Sequence, residues 1–85
     1  MKKNNLLLHS NFAHLSPREK EILEMIVEEK TNVEISKELF ISKRTVDGHR
    51  QNILNKLNVK TTVGLIKVVY ETLISANNNT ETLQL

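Results

Sequence analysis

With 85 residues and no cysteine, the chain has room for one small domain held by a single apolar core, and disulfides and thiolate metal sites are excluded. Apolar runs such as Leu6-Leu7-Leu8 are far short of a membrane span or a signal-peptide core. A soluble, cytoplasmic protein is the expectation, and the net charge of +2 is modest but unevenly spread.

In chain order, residues 1–14 (MKKNNLLLHSNFAH) read as a linker or N-terminal arm. Leu6–Leu8 and Phe12 would pack either on the core or on a neighbour outside the chain. Ser16-Pro17-Arg18-Glu19 then combines an N-cap serine, a proline at the first helical position and a capping-box glutamate. Ile22, Leu23, Ile26 and Val27 follow at helical spacing, which predicts a first helix over about 17–29. Thr31-Asn32-Val33-Glu34 is a second capping box, opening a short helix over about 32–39 with Ile35 and Leu39 inward. After Phe40 and Ile41, Ser42 caps a third helix over about 43–57, anchored by Val46, Ile53 and Leu57. Thr61 or Thr62 caps a fourth, with Leu65, Ile66, Val69 and Leu73 expected to face inward. Residues 75–85 (SANNNTETLQL) read as a flexible C-terminal tail.

The expected fold is therefore all-α: a compact four-helix bundle, with the fourth helix packing alongside. Its second and third helices, joined by only a few residues, make a helix-turn-helix. Charge supports that emphasis. Residues 43–60 hold five bases against Asp47, a local +4, whereas residues 16–40 hold seven glutamates against four bases, a local −3. A clustered basic segment is an electrostatic footprint of nucleic-acid binding, although a solvated lysine-rich helix face would look similar.

On the third helix, Val46, Ile53 and Leu57 share a narrow arc with Leu54 at its edge. The opposite arc collects Arg44, Gly48, Gln51 and Asn55, flanked by Asp47, Thr45 and Asn52. Gly48 costs the helix about 0.5–1 kcal/mol relative to alanine. It is either a tolerated defect or a site where the backbone approaches the floor of a major groove. His49, nearer the inner edge, would reach a phosphate or fill a half-buried site. Arg50 is expected to lie along the surface and pair with a glutamate of the earlier helices.

Residues 15–74 resemble the LuxR/FixJ-type helix-turn-helix domain of bacterial transcription regulators. The resemblance runs through Leu15-Ser16-Pro17-Arg18-Glu19, Glu21-Ile22-Leu23, Thr31-Asn32, Glu34-Ile35 and Leu39-Phe40-Ile41-Ser42. It continues through Thr45-Val46, His49, Asn52-Ile53, Lys56-Leu57 and Val59. It implies a third helix in the major groove, with Asp47, Gly48 and Gln51 at the base-reading positions and Arg44 beside them. Ser42, Lys43, Thr45, His49, Asn52, Lys56 and Lys60 are the expected backbone contacts. The fourth helix would support a dimer through Val63, Lys67, Tyr70 and Ile74. Some positions depart from the common pattern: Glu29 replaces a glycine, which suggests a differently built turn, Ser36 an alanine, and Thr62 an arginine. Asp47 stands where relatives often carry a base, which lowers the positive charge near phosphates.

The reading implies double-stranded DNA as ligand and a homodimer on DNA. RNA polymerase is a further expected partner, and the intact protein is expected to carry a receiver domain ahead of this segment, a stand-alone regulator being the alternative. A sigma-factor-like promoter-binding domain and a protein-interaction module without specific DNA binding are the alternatives. No enzyme activity, metal or cofactor is expected: His9, His14 and His49 lack ligand spacing, no nucleophile–base pair stands out, and the glycines form no phosphate loop.

Overall fold

The computed structural model describes the backbone of residues 10–81 and the side chains of residues 10–75. A short 3-10 turn, Ser10–Phe12, precedes four helices: α1 (Pro17–Val27), α2 (Asn32–Leu39), α3 (Lys43–Lys56) and α4 (Thr62–Glu81). Among the described residues there is no strand, as the all-α reading expected.

Helix starts follow the local chemistry. Ser16 and Thr31 each accept a hydrogen bond from the backbone N–H three residues on, and Glu19 and Glu34 reach back to the cap N–H. Two orphan donors are satisfied at each start. Ser42 caps α3 through the N–H of Thr45, and Thr61 caps α4 through the N–H of Gly64 at 3.0 Å.

The helix ends are less conventional. Glu29, Phe40 and Asn58 all have φ near +60°, and no glycine does. After α1 the N–H of Lys30 bonds the carbonyl of Met25 at 3.0 Å, and that of Glu29 bonds Ile26 at 2.9 Å. Ile41 to Ser36 and Val59 to Leu54 repeat the longer of these bonds after α2 and α3. This is the left-handed stop that helices usually build on glycine. The turn at Glu29, expected to differ, is therefore the ordinary one, forced on a residue with a Cβ.

Phe12, Ile22, Leu23, Ile35, Val46, Ile53 and Leu65 form the fully buried centre. Helix α3 packs against both α1 and α2, so it is held by the domain's main contacts. The core begins earlier than residue 15, because Phe12 is fully buried. Leu6–Leu8 lie outside the described residues.

Two expectations about α4 need correction. Its inward stripe is Leu65, Val69 and Thr72, whereas Ile66 and Leu73 are exposed. Thr72 can turn inward because its hydroxyl donates to the Val68 carbonyl at 2.8 Å and accepts from Asn11 at 2.9 Å. Satisfied in this way, a hydroxyl is no longer expensive to bury. The helix also continues through Glu81, past the boundary expected at 74, and no glycine or proline after Gly64 interrupts it.

Candidate nucleic-acid interface

The outward face of α3 follows directly from how its inner face is held. Val46 and Ile53 are fully buried and Leu54 nearly so, which turns Arg44, Asp47, Gly48, Gln51 and Asn55 to solvent. Lys43, Thr45 and Asn52 are also exposed, as is Lys60 just beyond the helix. His49 is half-buried. The Ser42 and Thr45 hydroxyls lie 2.9 Å apart at the α3 N-terminus, whose free N–H groups carry the positive end of the helix dipole.

Gly48 has no internal reason to be glycine. A Cβ built there meets nothing within 4 Å, and its φ is not positive. Neither crowding nor a special backbone conformation accounts for the helix propensity lost, so what glycine provides is a bare strip of backbone on the outward face.

Asp47 is engaged from the neighbouring helix. The side-chain amide of Asn32, the first residue of α2, donates to its Oδ1. The sequence pattern gave Asn32 no role at the interface. Its reach to α3 depends on how the two helices cross, which no local pattern reveals.

Lys56 has an acidic partner within the chain. Its Nζ lies 2.8 Å from Glu19 Oε1 and donates also to the His14 carbonyl at 3.4 Å. Glu19 is only 5% exposed, yet burial does not keep it neutral. Burial raises its pKa, but the hydrogen bonds from Lys56 and from the Ser16 backbone, together with the Lys56 charge, hold it below the ordinary glutamate value. In the free chain Lys56, expected at the phosphates, thus joins α1 to α3 while its side chain stays 41% exposed. Arg50 also departs from expectation: it donates to the Thr62 hydroxyl at 2.9 Å instead of meeting a glutamate.

The four residues expected at a dimer contact are all exposed. Val63 is 80% exposed, Tyr70 62% and Ile74 38%, with Lys67 exposed between them. Ile66 and Leu73 widen the same strip. The segment ahead of α1 reaches α4 at Thr72, through Asn11, and leaves this strip open among the described residues.

Residues 13–69 match the family profile described as "GerE: Bacterial regulatory proteins, luxR family", over more than half of the chain. The chain belongs to the luxR family of bacterial regulatory proteins. It is 50% identical over 46 residues to the spore germination protein GerE of Bacillus subtilis (strain 168), covering 54% of this chain and 62% of that protein. It is 46% identical over 59 residues to the uncharacterized response regulatory protein YgeK of Escherichia coli (strain K12), covering 69% of this chain and 40% of YgeK. Against the transcriptional regulatory protein LiaR of Bacillus subtilis (strain 168), identity is 53% over 55 residues, covering 65% of this chain and 25% of LiaR. The match spans less than two thirds of each of these relatives. No solved structure gives a significant match.

Membership of the luxR family makes the α2–turn–α3 unit a helix-turn-helix of regulatory type. Among the described residues no group of His, Asp or Glu is arranged to hold a metal, and no helix is long and apolar enough to cross a membrane.

Proposed function

We propose that this chain binds double-stranded DNA in a sequence-specific manner and thereby regulates transcription, as the output domain of a phosphorylation-controlled response regulator. The observation that carries the reading is the outward face of α3, polar throughout and presented by a helix whose inner face is fixed in the core. Helix α3 lies in the major groove. Arg44, Asp47, Gly48 and Gln51 face base edges, with Gln51 suited to the bidentate pattern of adenine and Asp47 to an exocyclic amino donor. Ser42, Lys43, Thr45, His49, Asn52 and Lys60 face the phosphates and set the register. Lys56 is left out of that set because Glu19 already holds it.

The exposed apolar strip of α4 supports a two-fold dimer on DNA through Val63, Lys67, Tyr70 and Ile74, with half-sites about one helical turn apart. YgeK and LiaR, of which the match spans only 40% and 25%, support a receiver domain in the intact protein, whereas GerE, spanned to 62%, does not bear on it.

Selection from a randomised duplex pool tests the reading. The chain should enrich an inverted repeat. Absence of any enriched sequence at low salt would favour a protein-interaction module instead.

A further inference from the structure

We infer that Asn32 is a specificity-determining positioning residue, acting on DNA through Asp47; this rests on the DNA-binding reading above. A carboxylate on a groove-facing helix is a liability, since it is repelled by phosphates unless a donor meets it. The fold supplies one donor from within. Asn32 is half-buried in the first turn of α2, and its amide donates to Asp47 Oδ1. The bond does two things at once.

First, it fixes the side chain. Asp47 is otherwise exposed, with nothing packed over it to select a rotamer. Tying Oδ1 to α2 leaves Oδ2 presented in one orientation, so the ordering that a base contact requires is already made in the free protein. Second, it tempers the charge. Asn32 opens α2, so the contact brings Asp47 to the positive end of that helix, where a carboxylate is favoured.

An ionised carboxylate accepts and cannot donate. The oriented Oδ2 therefore selects a base with an exocyclic amino group, cytosine N4 or adenine N6, and rejects guanine O6 and thymine O4 in its place. Asn32 itself touches no base. It makes the acid at position 47 a reader of one base pair instead of a source of repulsion.

The test compares the chain with Asn32→Ala, Asp47→Ala and the double variant, each selected on a randomised duplex pool and titrated on the preferred sequence and on its single-base variants. Asn32→Ala should lower discrimination at one position of each half-site by about three- to tenfold, leaving the other positions unchanged. Asp47→Ala should abolish preference at that same position, and adding Asn32→Ala to it should change nothing further. Asn32→Ser, which keeps a donor, should retain part of the preference. Three results would overturn the inference: undiminished preference in Asn32→Ala, an equal loss on all sequences, or an Asn32→Ala effect that persists without Asp47. If the unaltered chain enriches no sequence, DNA reading fails, and the role of Asn32 falls with it. If it enriches a site that Asn32→Ala reads equally well, only the positioning role is lost.

Discussion

At the start of α3, Lys43 and Arg44 are exposed and join no ion pair among the described residues, while at its end Lys56 sits 2.8 Å from a glutamate that is only 5% exposed. The two ends carry the same sign of charge in one amphipathic segment, and the fold uses them differently. The C-terminal end is tied through Glu19 to the capping box of α1, so the helix is fixed to α1 at this end. In the N-terminal half, the exposed side chains of Lys43, Arg44 and Gln51 are left free to meet something else. A basic segment is thus not one electrostatic object: what each cation does depends on the carboxylate that packing brings to it.

The largest effect that would break this contrast is at the outward face. Gln51→Ala should remove about 1–3 kcal/mol of discrimination at one base pair while leaving thermal stability within about 0.5 kcal/mol of the parent. Binding to single-base variants and a thermal melt check both halves. At the tied end, Lys56→Ala should cost about 1–2 kcal/mol of stability, because it strands a buried carboxylate whose partner was itself partly solvated. Chemical denaturation measures it, with sequence preference unchanged.

The same pair sets a pH dependence. Glu19 has a lowered pKa in the folded chain, so its contribution is fully present above the ordinary glutamate value. It is lost as pH falls from there through the lower folded value. Lys56→Ala should flatten that acid limb of the stability profile.

Smaller effects come from backbone conformation, and they separate fold from face. Gly48→Ala should stabilise the helix by about 0.5–1 kcal/mol, since its Cβ enters open space, and should nonetheless weaken DNA binding. Unchanged or tighter DNA binding would remove Gly48 from the interface. Glu29→Gly, at φ 65°, should gain about 0.5–1 kcal/mol without altering DNA binding.

Where information was local, the sequence was enough. Two capping boxes, the Ser42 cap and the 3.6-residue spacing of Val46, Ile53 and Leu57 announced α1 to α3 because these signals act within one turn. The outward arc of α3 followed from the same spacing. What could not be read depends on helices meeting. The reach of Asn32 to Asp47, the Glu19–Lys56 latch and the Arg50–Thr62 bond join residues 12 to 37 positions apart. The burial of Thr72 was not legible for a related reason: Asn11 and the Val68 carbonyl, which satisfy its hydroxyl, are brought to it by the fold. The left-handed ends at Glu29 and Phe40 were hidden because neither residue favours that conformation. Phe40 holds it while 92% exposed, so no burial of its ring offsets the strain.

Amide chemical-shift mapping of the chain, titrated with its selected duplex, tests the central claim most directly. Perturbations should concentrate on Ser42 to Asn52, strongest at Arg44, Gly48 and Gln51, with Lys56 and the glutamate-rich surface of α1 and α2 little changed. Perturbations centred on that acidic surface, with Arg44 to Gln51 unmoved, would contradict it.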